Sequence, residues 1–183
     1  MKQIDDAYYI EKIQAGETEC FSVLLDRYGQ SVFSLITKIV GSREDAEELT
    51  QDVFMKVFRS LSSFQGNSLF STWLYRIAYN VAISASRKKK YEWVAIEESM
   101  IENVADDEKS DEVEQLTKEE QLSRLERALE QLLPDERALV TLFYMQEKQV
   151  NEIVTITGFS VSNVKTKLHR IRKKMLLLMQ DSY

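Results

Sequence analysis

Apolar residues recur at three- and four-residue intervals through most of this 183-residue chain, so the pattern is that of helices. From Cys20 to Val40, the positions Phe21, Leu24, Leu25, Tyr28, Val32, Phe33, Leu35, Ile36 and Ile39 follow the spacing of an amphipathic helix. Gly41-Ser42 breaks the pattern, and Ser42 is placed to cap a second helix, with Asp45 three residues on. That helix carries Ala46, Leu49, Val53, Phe54, Val57, Phe58 and Leu61 on one face. Ser62 to Asn67 reads as a loop. A third helix runs from Thr72 to Ile83, capped by Ser68 or Ser71, and ends in Arg87-Lys88-Lys89-Lys90. Leu74, Ile77, Ala78, Val81 and Tyr75 are its predicted core side, and Trp73, Arg76, Tyr79, Asn80 and Ser84 fall elsewhere. Between 92 and 117 the periodicity fades, and residues 106–112 are almost entirely charged. This stretch reads as a weakly structured linker. Trp93, Val94, Ile96, Met100, Ile101 and Val104 nevertheless make its first part too apolar for simple exposure.

The C-terminal pattern is the most informative. Val150 to Thr157 is a short amphipathic helix ended by Gly158, and Phe159-Ser160-Val161 makes a turn. A second helix begins at Ser162, with Val161, Val164, Leu168, Ile171, Met175 and Leu178 as one apolar stripe. Ser162, Asn163, Lys165, Thr166, Lys167, His169, Arg170, Lys173 and Lys174 fall outside that stripe. Six cations and no acid lie between Ser162 and Lys174. Lysines near a C-terminus also complement the helix dipole, so the charge run alone describes a solvated basic helix. The preceding short helix and glycine turn favour a helix-turn-helix, with a cationic face suited to a phosphate-lined groove.

Composition narrows the classes. Five Gly and one Pro in 183 residues are too few for many hairpins, which supports an all-α fold. The lone Cys20 excludes an internal disulfide and, beside Phe21 and Val23-Leu24-Leu25, reads as a packed thiol in a reducing compartment. No apolar run approaches the roughly twenty residues of a membrane span, and the N-terminus lacks a signal-peptide pattern. The expectation is therefore a cytoplasmic protein without membrane insertion. His169 is the single histidine and lies in the basic helix, so a Cys/His metal cluster or a His-based triad is not expected, and neither is an enzyme or a cofactor.

The net charge of −6 is unevenly distributed. Residues 1–60 hold seven Lys/Arg and eleven Asp/Glu, whereas 61–90 hold five Lys/Arg and no acid. Residues 91–133 hold four Lys/Arg against fourteen acids, and 134–183 hold eight against five. Two basic regions thus flank an acidic one, as two contacts with one polyanion require. Within the first basic region, aromatics and Asn set among cations suit unstacked bases: rings stack, amides read a base edge and cations hold phosphates. Trp73 taken alone reads as a packing residue.

The run Ala46-Glu47-Glu48-Leu49-Thr50-Gln51-Asp52-Val53-Phe54, followed by Ser71-Thr72-Trp73-Leu74-Tyr75-Arg76-Ile77-Ala78-Tyr79-Asn80, resembles region 2 of the extracytoplasmic-function (ECF) sigma factors of the sigma-70 family. Leu132-Leu133-Pro134-Asp135-Glu136-Arg137, together with Glu152-Ile153 through Arg172, resembles their region 4. The resemblance spans nearly all the chain beyond its first fifteen or so residues, in the family order. It implies two small helical domains: region 2 over 1–91, an acidic linker over 92–117 and region 4 over 118–183. It also implies a bacterial transcription initiation factor that binds core RNA polymerase and recognises −35 and −10 promoter elements, helping to melt the latter.

By the same resemblance, Glu48, Gln51, Asp52 and Phe54 would meet the clamp of the polymerase's largest subunit, and region 4 would meet the flap. Gln65, Asn67 and Phe70 would form a pocket for a flipped base, with Trp73, Arg76, Tyr79, Asn80, Arg87 and Lys88 holding the melted −10 strand. Ser162, Asn163, Lys165, Thr166, His169, Arg170 and Lys173 would enter the −35 major groove. An anti-sigma partner and a monomeric free state are further implications. Ser84 and Asn163 depart from the residues common in the family and bear on promoter preference. The competing class is a dimeric helix-turn-helix repressor or activator, but no dimerisation heptads are evident.

Overall fold

The computed structural model describes residues 5–88 and 117–180, which form eight α-helices and, among the described residues, no strand. In chain order they are α1 (Asp6–Gln14), α2 (Phe21–Val40), α3 (Arg43–Ser60), α4 (Phe70–Lys88), α5 (Lys118–Glu130), α6 (Pro134–Val140), α7 (Val150–Thr157) and α8 (Val161–Gln180). A π-helical turn, Thr141–Met145, continues α6. The expected linker falls almost wholly outside the described residues, as do Lys89 and Lys90 of the basic cluster.

Helix ends follow local chemistry. The Asp45 N–H donates to Ser42 Oγ at 3.3 Å, the expected cap of α3. Gly41 ends α2 at φ 72° with its N–H on the Thr37 carbonyl, 2.8 Å away. Thr117 and Glu120 form a reciprocal capping box at the start of α5. Pro134 occupies the first turn of α6, where a missing N–H costs nothing, and Glu136 accepts from the Leu133 N–H at 2.8 Å. Gly158 closes α7 at φ 78°. Helix α4 starts at Phe70, two residues before its expected start, so Ser71 lies inside its first turn rather than at a cap.

The N-terminal half packs α4 against both α2 and α3. Leu24, Leu35, Ile36, Ile39, Val53, Val57, Leu61 and Leu74 are fully buried there, and Ala46, Ala78 and Ala82 leave room for close approach. Asp6 fastens α1 to α2 by accepting from Arg27 and from the Tyr28 hydroxyl. Burial, followed by the Asp6 hydrogen bond, pushes the Tyr28 phenol well above its usual value. In the C-terminal half, Leu132, Leu139, Leu142, Ile153, Ile156 and Val164 are fully buried. Val161 was expected in this stripe but is 42% exposed, because it sits at the first helical position before α8 turns onto its neighbours.

The two halves share one contiguous core, with α7 and α6 lying on α4, and α6 on α2. Lys148, in the loop before α7, is central to the seam. Its Nζ reaches Ser71 Oγ and Glu152 Oε1, both at 3.3 Å, and lies 5.2 Å from the Tyr75 ring centroid. The Thr72 hydroxyl donates to Glu152 at 3.3 Å, and the Tyr75 hydroxyl to Gln146 Oε1 at 2.8 Å. Arg137 joins three elements: its guanidinium donates to the carbonyls of Leu132 and Glu130, at 2.8 and 2.9 Å, and to Lys38 of α2 at 3.3 Å. Burial pushes the Glu152 carboxyl up, but the Gln149 N–H, the Lys148 ammonium and the Thr72 hydroxyl together hold it below its usual range.

Two predictions follow from these contacts. A Cβ on Gly41 would lie 3.3 Å from the Arg137 guanidinium while the backbone keeps a left-handed φ. Gly41→Ala is therefore expected to cost about 1–2 kcal/mol in urea unfolding. Because the Glu152 carboxyl is depressed, its contribution is present above the unfolded carboxylate value and is lost as pH falls through the lower folded one. Glu152→Gln should lower stability by about 1 kcal/mol at pH 7, a deficit that shrinks below about pH 4.5. A deficit independent of pH would mean that charge is not what Glu152 contributes.

Candidate nucleic-acid and protein interfaces

Helix α8 presents a solvent face built by its own start signal. Ser160 caps it, with the Asn163 N–H donating to Ser160 Oγ at 3.2 Å. That leaves the Asn163 side chain outside the cap. Ser162, Asn163, Lys165, Thr166, His169 and Arg170 are exposed and Lys173 is half-buried, so the expected −35 set lies together on the side away from Val164, Leu168, Ile171 and Leu178. The eight-residue α7 and the Gly158 turn precede it, giving the helix-turn-helix outline.

The cations of α8 divide into two groups. Lys167 Nζ pairs with Asp135 of α6 at 2.9 Å and lies 5.3 Å from the Phe159 ring centroid. Lys174, 7% exposed, pairs with Glu136 at 2.9 Å. Arg172 donates to the Tyr144 hydroxyl at 3.1 Å. Lys174 therefore faces the protein, and Lys167, its side chain 33% exposed, lies at the edge of the same packed side.

Helix α4 carries three distinct sides. Arg76, Asn80, Ser84, Arg87 and Lys88 are exposed, and Trp73 is half-buried at the head of that stripe. Leu74, Ala78 and Ala82 lie in the core of the N-terminal half. Thr72, Tyr75 and Tyr79 form a third side, all at most 5% exposed, which faces α6 and α7. Tyr79 was expected beside Arg76 and Asn80, yet it is covered, because the C-terminal half packs on the neighbouring sector of the helix. Burial pushes its phenol up to about 12, with Asp135 adding to the rise and Arg87 opposing it.

The loop ahead of α4 exposes Gln65, Asn67 and Leu69, with Asn67 Nδ2 donating to Gln65 Oε1 at 3.3 Å and Gly66 at φ 72° making the bend. Phe70 is 4% exposed beneath the loop. Its ring sits 5.6 Å from Tyr28, 6.0 Å from Phe64 and 5.9 Å from Trp73, centroid to centroid. It supports the loop rather than lining an open pocket, and Trp73 is held between Phe64 and Phe70.

On α3, Glu44, Glu47, Glu48, Gln51 and Asp52 are exposed. Phe54 is not, being 5% exposed and set edge-on to Phe21. Met55 and Phe58 are exposed at 52% and 43% on the same helix. Sequence reading placed Phe58 in the core and passed over Met55. The signal available was the i, i+4, i+7 spacing of Gln51, Met55 and Phe58. Leu25, Gly29, Phe33, Thr50, Gln51 and Phe54 line a shallow groove beside them.

Among the described residues, no group of three or more His, Cys, Asp or Glu is placed to hold a metal ion, and no helix is long and apolar enough to cross a membrane. Cys20 is a free, half-buried thiol.

Comparison with known proteins bears on both halves. Sigma-70 region 2 matches residues 24–91, which contain most of α2 and all of α3 and α4, and Sigma-70 region 4 matches residues 122–175, which contain α6, α7 and most of α5 and α8. The chain is 33% identical over 178 residues to the ECF RNA polymerase sigma-E factor of Escherichia coli K12, covering 94% of this chain and 93% of that protein. It is 29% identical over 180 residues to the ECF RNA polymerase sigma factor SigW of Bacillus subtilis, covering 94% and 95%. The fold is similar to that of CnrH solved in complex with the cytosolic domain of CnrY, with TM-score 0.71, 20% identity and coverage of 97% and 99%. It is also similar to RpoE of Bartonella quintana solved with the anti-sigma factor NepR, with TM-score 0.65, 22% identity and coverage of 89% and 98%. These matches span the chain from the first bundle to α8, and the protein belongs to the ECF sigma factors of the sigma-70 family, transcription initiation factors without enzymatic activity of their own.

Proposed function

We propose that this sigma factor brings core RNA polymerase to promoters by reading a −35 element with α8 and a −10 element with α4 and the loop before it, in the cytoplasm. The observation that carries this reading is the pair of exposed, acid-free polar faces on an acidic chain. One is Ser162, Asn163, Lys165, Thr166, His169 and Arg170; the other is Arg76, Asn80, Arg87 and Lys88 with Trp73. The domain limits are 1–91 and 118–183, with the acidic segment 92–117 between them. Glu48, Gln51 and Asp52, exposed on α3, form the polymerase-docking surface together with Met55 and Phe58. An anti-sigma factor holds the protein inactive.

The energetics suit two modules acting together. Each base contact at −35 contributes roughly 1–3 kcal/mol, and stacking a base on a ring contributes a similar amount at −10. Phosphate neutralisation supplies salt-dependent affinity, and tethering both modules to one polymerase raises their effective concentration. The seam has a place in this scheme. A base cannot reach the Tyr79 ring while α6 and α7 cover it, so engagement of that side of α4 requires the halves to part.

Two experiments follow. In transcription with bacterial core polymerase on DNA from the source organism, promoter-specific transcripts should require this protein. Arg170→Ala and Asn80→Ala should each lower them roughly tenfold, the worth of one lost base contact. Absence of core binding, combined with tight dimeric binding to duplex DNA, would instead establish a repressor. For the seam, Ser71→Cys and Lys148→Cys in a Cys20→Ser background should be joined across the halves by a reducible bis-methanethiosulfonate linker, which replaces the length of the lysine side chain that now reaches Ser71. Transcription should fall on cross-linking and recover on reduction; undiminished transcription with the link formed would mean that the halves need not part.

A further inference from the structure

The first turn of α6 sends two adjacent carboxylates to one side of the recognition helix. Asp135 takes Lys167 at 2.9 Å and Glu136 takes Lys174 at 2.9 Å. These lysines are seven residues apart, two helical turns and about 10.5 Å along the axis, so both point the same way from α8. One anchor would let a helix pivot; two anchors spaced along its length fix both its rotation and its slide. The rotation matters because neighbouring residues on a helix differ by about 100° in direction. A modest turn of α8 would carry Asn163, Thr166 and Arg170 off their base edges while leaving the helix intact.

The pairs are built differently from solvent-exposed ones. The Lys174 side chain is 8% exposed and that of Glu136 is 17%, and Glu136 is itself held by the Leu133 N–H at 2.8 Å. Lys167 is further located by the Phe159 ring, part of the turn between α7 and α8. A lysine this buried cannot also serve a phosphate without leaving its carboxylate. Losing one partner would leave an uncompensated charge in a dry site, which favours displacement of the helix over toleration.

We infer that Asp135 and Glu136 are positioning residues that set the orientation of the recognition helix through Lys167 and Lys174, and that these two lysines read no DNA. This rests on the reading that α8 binds the −35 element.

The test uses the full chain in holoenzyme on a promoter obtained by the transcription experiment above, with its −35 element intact or scrambled, over a range of salt. Glu136→Gln keeps the acceptor for Leu133, and Glu136→Gln, Lys174→Met and the double variant close a thermodynamic cycle. Each single change should lower the ratio of intact to scrambled binding about tenfold, and the double change no further, because both break one link. The dependence of log K on log salt should stay as in wild type. Lys165→Met, removing an exposed cation of α8, should instead lower that slope by about 0.9. A roughly hundredfold additive loss, or a slope drop of about 0.9 with Lys174→Met, would overturn the assignment. Asp135→Asn offers the same ratio and slope readouts at the more exposed pair if the Glu136 variants do not fold. Amine labelling of the free protein tests the pairing without DNA: Lys174 should label far more slowly than Lys165 and faster in Glu136→Gln. Equal rates in wild type would refute the pairing, whereas a wild-type holoenzyme indifferent to the −35 element would refute the parent reading instead.

Discussion

Helix α4 is committed to packing on two of its three sides, and most of the molecule's arrangement depends on that commitment. Leu74, Ala78 and Ala82 belong to the N-terminal bundle, while Thr72, Tyr75 and Tyr79 lie beneath α6 and α7. Only the stripe through Trp73, Arg76, Asn80, Ser84 and Arg87 remains toward solvent. The seam that creates this division is mixed in character. Its core is apolar and continuous, but Lys148, Glu152, Ser71, Thr72, Tyr75 and Gln146 supply direct polar contacts across it or beside it. Polar seams of this kind separate at lower cost than purely apolar ones, since water can replace each hydrogen bond.

Charge is handled by the same economy of place. The exposed acids of α3, Glu44, Glu47, Glu48 and Asp52, lie toward the positive end of their own helix, and Glu47 also pairs with Arg43 at 3.1 Å. The acids of α6 do something else: one turn of helix contributes Asp135 and Glu136 to the lysines of α8. The cationic surface offered by α8 is thus smaller and better defined than its composition implies. Definition of that kind favours selectivity over raw affinity, since bulk positive charge binds every sequence alike.

Much of the fold was legible in the chain. The helix from Cys20 to Val40, the Gly41-Ser42 break with its cap, the short helix ending at Gly158 and the outward set Ser162, Asn163, Lys165, Thr166, His169 and Arg170 all follow from periodicity and end signals. Those rules are local: a cap needs three neighbouring residues, and an apolar stripe needs only its own helix. Errors arose where a side chain's surroundings come from far along the chain. Tyr79 was expected toward solvent and is covered by elements beginning some fifty residues later. Phe58 was expected in the core and is 43% exposed, with its ring edge-on to Phe21 of α2 at 5.0 Å. Phe54, which periodicity puts on the apolar face and the family resemblance puts at the polymerase, is 5% exposed and packs on Phe21.

The sequence by itself therefore determined the helices, their apolar faces, the separation of basic from acidic regions and the family. The tertiary structure decided which side of α4 is hidden, which lysines of α8 are spent on carboxylates, and which aromatics support a loop rather than open toward solvent. The physical reason is one of range. Backbone hydrogen bonding and side-chain periodicity are settled within a few residues. Burial of a polar or aromatic side chain depends on which distant surface arrives to cover it, and a lysine on a helix looks the same in sequence whether it faces a phosphate or, as with Lys174, a carboxylate of the helix packed beside it.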